Sequence, residues 1–150
     1  MPQPKLKVQF KKFDEEAIVP EYKSQDAAAF DLHACIPDAG AVVISPGETF
    51  MVPTGIGIFL KNPDYCLEIW ERSGLGIRGI ALRAGLVDSD YQGQIYVILT
   101  NHSDSDLTIE HGHRIAQAKI CPVQRVIFDV VEEFDTVTER GTGAFGSTGV

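Results

Sequence analysis

At 150 residues the chain suits one domain, and a chain of that length buries roughly 68–70% of its unfolded surface, enough for a substantial core. Its formal net charge of -8 speaks against a broad basic face for nucleic acid, while leaving room for a small anion held by a few local arginines. Cys35, Cys66 and Cys121 are widely spaced and form no CxxC pair, so neither a zinc knuckle nor a disulfide framework is expected, and free thiols in a reducing compartment are. The opening Met-Pro-Gln-Pro-Lys-Leu-Lys lacks the apolar run of a signal peptide, and no apolar stretch approaches membrane-spanning length. The expectation is a cytoplasmic protein (nuclear if the source is eukaryotic), not secreted and with no membrane partner.

In chain order, Lys5 to Phe10 alternates polar and apolar and predicts a strand with Leu6, Val8 and Phe10 on one face. Asp14 to Ser24 is polar and holds Pro20, a loop. Phe30 to Cys35, Ala41 to Ile44, Thr49 to Thr54, Ile56 to Leu60 and Tyr65 to Trp70 read as strands separated by Gly, Pro and Asn turns. Ser73 has the chemistry of an N-cap, and a short helix limited by Gly74 and Gly76 follows it. Ile80 to Leu82, Ile95 to Thr100, Leu107 to Ile109, Arg114 to Cys121 and Arg125 to Val131 complete the strands. Many short strands with almost no helix predict an all-β antiparallel sandwich, jelly roll or barrel. The predicted domain is 1–131, with an arm and Gly-rich tail over 132–150.

Between two of these strands lies Ala84-Gly85-Leu86-Val87-Asp88-Ser89-Asp90-Tyr91-Gln92-Gly93-Gln94. With Val87 and Ile95 on its flanks it reads as a tight β-hairpin whose tip exposes backbone groups to a flat polar ligand. A carboxylate there can orient and deprotonate a water, and the Tyr91 ring can wall off a sugar. Asp-Ser-Asp alone is equally ordinary turn chemistry. An EF-hand reading fails, because the twelfth position is Leu99 and flanking helices are missing. Arg72-Ser73-Gly74 offers a guanidinium, a hydroxyl and unhindered backbone N–H groups to a phosphate, and Gln117 in Gly112-His113-Arg114-Ile115-Ala116-Gln117 can donate to a phosphate oxygen. Each has a plain structural explanation when taken alone. Gly141-Thr142-Gly143-Ala144-Phe145-Gly146 is a literal GxGxxG, but no helix and acidic residue follow it, so it is not a dinucleotide fold. His33, His102, His111 and His113 read as structural or surface residues.

Taken together, five segments in order resemble the motifs of trimeric dUTP diphosphatases (dUTPases): Ala28-Ala29-Phe30-Asp31-Leu32, Arg72-Ser73-Gly74-Leu75, Ala84 to Gly93, Gly112 to Gln117, and Arg140 to Gly149. The resemblance implies a dUTPase-type jelly-roll subunit of a homotrimer. Each site there takes the hairpin from one subunit, the second and fourth motifs from another and the tail from the third. It implies hydrolysis of dUTP to dUMP and pyrophosphate by attack at the α-phosphorus, which keeps uracil out of DNA and supplies dUMP for thymidylate synthesis. Carried over, Asp88 activates the water and Tyr91 packs under the deoxyribose. Backbone at Ala84, Gly85 and Val87 reads the uracil edge. Arg72, Ser73, Gly74 and Gln117 hold the phosphates, and Arg140, Gly146, Ser147 and Thr148 close over them while Phe145 covers the base. Asp31 bonds a water of Mg²⁺, which is held mainly by the triphosphate, and Arg114 supports Asp31.

The chain departs from that pattern at Glu71, where proline is usual, at the short Ile77-Arg78-Gly79-Ile80 segment, around Arg83-Ala84-Gly85, and at Ala144 in place of a glycine. Two rival readings share the fold. A dCTP deaminase needs a glutamate on the strand leaving the hairpin, and the corresponding position is Ile98. A nucleotide-sensing regulatory binding protein has no need of Asp88.

Overall fold

The computed structural model describes residues 6–144 of the chain. Eleven strands and one short helix make up the described fold: β1 (Gln9–Lys12), β2 (Phe30–His33), β3 (Ala41–Ile44), β4 (Thr49–Pro53), β5 (Ile56–Phe59), β6 (Tyr65–Trp70), α1 (Ser73–Gly76), β7 (Ile80–Arg83), β8 (Leu86–Val87), β9 (Tyr96–Asn101), β10 (Leu107–Glu110) and β11 (Arg114–Pro122). Every pairing is antiparallel. The strands form a β2-β11-β6-β8 sheet, a β4-β9-β7 sheet and two ribbons, β1-β5 and β10-β3. The architecture is the expected all-β jelly roll.

The alternation that predicted the strands also builds the core. Phe30 and Leu32 point inward from β2, while Asp31 and His33 remain part-exposed on its other face. Leu32, Ile44, Val52, Ile56, Leu60, Leu67, Val97, Leu99 and Ile115 are all sealed from solvent. Burying one such side chain contributes roughly 1.5–3 kcal/mol. The buried polar residue Asn101 is satisfied: its amide nitrogen donates to the carbonyls of Ile44 and Ser105, each at 2.8 Å.

Three local expectations are corrected. Residues 125–131 form no strand, and Ile127, Phe128 and Val130 are 99%, 87% and 94% exposed. Their alternation is strand-like, but none of the described strands pairs with them. Arg72, not Ser73, occupies the N-cap of α1, in extended conformation and without a side-chain cap. The hairpin is a connection between sheets: β8 pairs with β6 and β9 pairs with β4 and β7, so its two flanks do not pair with each other.

Candidate functional site

Asp31, Arg72, Arg114 and Gln117 converge at one end of the four-stranded sheet. Arg72 Nε donates to Asp31 Oδ1 at 3.1 Å, and Arg114 donates to Asp31 Oδ2 at 3.4 Å. A second nitrogen of Arg72 reaches the Arg114 carbonyl at 3.3 Å. A bulge in β11 makes the cluster possible. The register passes from Arg114↔His33 to Ala116↔Leu32, leaving Ile115 as the extra residue. Arg114 and Gln117 are three apart and would face opposite ways on a regular strand. With the bulge, both lie opposite the outward residues of β2. Gln117 also pairs with Trp70 of β6, and its Nε2 donates to the Glu71 carbonyl at 2.7 Å, fixing the segment that carries Arg72. Ser73 and Gly74 stand exposed beside it. A Cβ at Gly74 would meet nothing within 4 Å, so its own fold makes no demand for glycine there.

The second assembly begins where the chain leaves β7. Ala84 adopts φ +52, and Gly85 then lies against β6, its carbonyl accepting from Ile69 N–H at 2.7 Å. A Cβ at Gly85 would fall 2.3 Å from the Ile69 carbonyl oxygen, so only glycine fits. Leu86 and Val87 pair with Glu68 and Leu67, and the loop from Asp88 follows. Tyr91 N–H bonds the Asp88 carbonyl at 3.2 Å, while the Tyr91 hydroxyl donates to the Gln94 carbonyl at 2.8 Å. The far end is pinned by Ile95, whose N–H bonds Ile56 and whose carbonyl accepts from the Thr54 hydroxyl at 2.6 Å. Asp88, Tyr91, Val87, Tyr96 and Ile98 line a cleft of about 270 Å³. Asp88 and Asp90 also border a wider cleft of about 510 Å³ on the other side, with Lys61 and Arg125.

Trp70 and Glu71 share a cleft with Ala84 and Gly85, but the carboxylates of Asp31 and Asp88 lie far apart. Asp31 is level with Trp70 of β6, whereas Asp88, one residue past the Val87↔Leu67 pair, is level with Cys66. Four residues of strand make about 13 Å, and three strand spacings from β2 to β8 make about 14 Å, a diagonal of roughly 19 Å.

A family model described as dUTPase matches residues 15–149. The chain belongs to the dUTPase family. The family and the enzyme class expected from the five motifs, a dUTP diphosphatase, both stand. The deoxyuridine 5'-triphosphate nucleotidohydrolase of Tolumonas auensis is 46% identical over 152 residues, covering 99% of each chain. That of Neisseria meningitidis serogroup B is 45% identical over 149 residues, covering 96% of this chain and 97% of its own. Among solved structures, the Staphylococcus bacteriophage 80alpha dUTPase with dUPNHPP superposes with a TM-score of 0.85 at 26% identity, covering 96% of this chain and 99% of that one.

Within this dUTPase chain the first, second and fourth motifs meet at the Asp31 cluster, and the third stands apart from them. Arg140, in the fifth, occupies an exposed turn where its Nε donates to the Gly143 carbonyl at 3.0 Å. No hydrogen bond among the described residues joins that turn to the other motifs. Phe145, Gly146, Ser147 and Thr148 lie outside the described residues. Among the described residues, no three His, Cys, Asp or Glu side chains converge as a metal cage. A hard cation kept largely by phosphate oxygens, with Asp31 reached through water, fits that donor set. No helix among the described residues is long and apolar enough to cross a membrane.

Sequence reasoning missed several supports of the site. Glu71 places Oε1 3.4 Å from the Leu82 N–H, linking the Arg72 segment to β7. His33, beside the Asp31 cluster, has a buried Nδ1 with no partner among the described residues, and burial lowers its pKa while the Asp31 charge opposes that shift. Burial likewise raises the pKa of all three cysteine thiols, as expected of structural rather than reactive sulfur.

Proposed function

We propose that the protein hydrolyses dUTP to dUMP and pyrophosphate in a homotrimer whose sites are shared between subunits. The observation that carries this reading is the separation within one chain. The loop that would hold the nucleoside and the water lies roughly 19 Å from the cluster that would hold the phosphates. One triphosphate needs both, which supports halves drawn from different copies. The exposed Ile127, Phe128 and Val130 support the same assembly, since a monomer gains nothing by presenting them to water.

In this reading the deoxyuridine occupies the cleft of Val87, Asp88, Tyr91 and Ile98, with backbone of 84–87 against the uracil edge and Tyr91 under the sugar. Asp88 orients a water and accepts its proton as the oxygen attacks the α-phosphorus. The bond to the bridging oxygen breaks, and pyrophosphate leaves. Arg72, Ser73, Gly74 and Gln117 hold the phosphates, and the open space at Gly74 suits a close backbone approach. Arg140 with Phe145, Gly146, Ser147 and Thr148 closes the site from a third copy. When bound, Mg²⁺ offsets phosphate charge, which the arginines share. The product role is removal of dUTP before it enters DNA and supply of dUMP for thymidylate synthesis.

A deaminase reading is disfavoured by Ile98, which gives the cleft an apolar wall where that chemistry needs a carboxylate. Pyrophosphate release from dUTP, UTP, dTTP and dCTP, each with and without Mg²⁺, tests the proposal. Release from dUTP alone, raised by Mg²⁺, is expected. Ammonia from dCTP would favour the deaminase, and tight dUTP binding without release would favour a regulatory binder.

A further inference from the structure

We propose that Ala84 is a positioning residue: its left-handed backbone sets which backbone groups face the base, and so governs discrimination among nucleobases. The inference rests on the dUTP reading above and assigns a specific cause to its base selectivity.

Only two non-glycine residues among those described have positive φ, Lys61 and Ala84. Alanine has no side-chain oxygen to make that conformation comfortable, as Asn or Asp has, so the surrounding structure must impose it. The source of the constraint is visible. Arg83 is still paired with Ile98 in the β4-β9-β7 sheet, whereas Leu86 is already paired with Glu68 in the β2-β11-β6-β8 sheet. Two residues must carry the chain from one sheet to the other. Gly85 has no freedom left, because it is pressed onto Ile69 by a 2.7 Å hydrogen bond and a contact that excludes any Cβ. The turn therefore falls on Ala84. Arg83 is itself anchored, with Nε 3.3 Å from the Thr100 hydroxyl and a terminal nitrogen 3.1 Å from His102 Nε2.

A strand of two residues holds its register poorly on its own, and a slip by one position would exchange the faces of Leu86 and Val87. Asp88 follows directly, so the bend at Ala84 also sets where the carboxylate leaves β8. If residue 84 relaxes to φ < 0, the Gly85 contact with Ile69 cannot be kept. The groups aimed at a pyrimidine edge then turn with the peptide planes.

The test replaces Ala84 by Gly, Asn, Leu and Val in the full chain. Steady-state kinetics with dUTP, dCTP and dTTP are measured alongside thermal midpoints. Base discrimination should rank by tolerance of positive φ, with Gly and Asn at least matching the wild-type Ala and with Leu and Val below it, and not by side-chain volume, which would put the larger Asn below Ala. A84L and A84V should raise KM for dUTP about tenfold and narrow its advantage over dCTP, a loss of about 1.4 kcal/mol of discrimination. Loss of folded fraction alone would lower turnover on every nucleotide equally and leave the ratios alone. If A84V does not fold, Asn against Leu decides. Equal discrimination by Asn and Leu variants overturns the inference. A wild-type chain that leaves dUTP untouched overturns instead the reading on which it rests.

Discussion

Asp88→Asn and Arg72→Ala subunits, combined in one assembly, test the divided site directly. Arg72 is held to Asp31, which lies roughly 19 Å from Asp88 across the four-stranded sheet by strand rise and spacing. Removing the Asp88 carboxylate takes away the proposed base and should cost roughly 10²–10⁴ in turnover with nucleotide binding largely kept. Removing the Arg72 guanidinium leaves Asp31 still paired with Arg114 at 3.4 Å, so the sheet end keeps its ion pair while phosphate binding is lost. Each homogeneous variant is then nearly inactive. In randomly mixed assemblies at equal ratio, a site drawing Asp88 from one copy and Arg72 from another is intact with probability one half times one half. Turnover should therefore recover to about a quarter of wild type. The assay is pyrophosphate release from dUTP after co-refolding the two variants, with composition checked by native mass spectrometry. Verified mixed assemblies that stay as inactive as their parents would refute the division, because every site would then carry one of the two defects.

Gly93→Ala places a Cβ 2.4 Å from the Tyr91 hydroxyl and should push the ring off its seat, narrowing the preference for dUTP over UTP in a competition assay; an unchanged ratio would remove Tyr91 as the sugar filter. Deleting residues 140–150 should abolish most turnover while sedimentation shows the assembly intact, and loss of assembly would mark the tail as structural. Burial holds the His33 imidazole below its ordinary 6.5, so the unfolded chain binds the extra proton first and stability falls as pH drops through about 6.5. Urea midpoints at pH 7.5 and 5.5 should therefore differ less in His33→Asn than in wild type, and an equal difference would place the dependence elsewhere.

Where packing follows local alternation, the sequence was a sound guide. Tyr65–Trp70 was legible to the residue, as a short apolar run broken only by Glu68 and preceded by the Asn62-Pro63-Asp64 turn. The site was legible in its motifs but not in its geometry. Asp31, Arg114 and Gln117 are brought to one face by the bulge at Ile115, and nothing in Arg-Ile-Ala-Gln distinguishes a bulged strand from a regular one. The loop after Val87 misled for a different reason. Two β-formers around an Asp-Ser-Asp turn satisfy every local hairpin rule, yet the flanks are claimed by two different sheets. Pairing of that kind is decided by the whole fold, and the only local trace of it is Gly85, which must be glycine because β6 passes over it.

The arm makes the same point at the scale of the assembly. Val-Ile-Phe-Asp-Val-Val over 126–131 has the β propensity of a strand and the exposure of a linker. Both descriptions hold if its partner edge belongs to another copy. Edges are available: β1 pairs only with β5, and apolar Leu6, Val8 and Phe10 beside it line a groove with Tyr22, Ile58 and Ile120. The charges also suit such a meeting, since Lys7, Lys11 and Lys12 lie close in sequence to the lining residues Leu6, Val8 and Phe10, while Asp129 lies within the apolar run and Glu132 and Glu133 follow it. In the proposed assembly, burial of this strand-like segment couples folding to association. In the proposed homotrimer the same meeting of copies covers this segment and completes the divided site, so one assembly accounts for both observations.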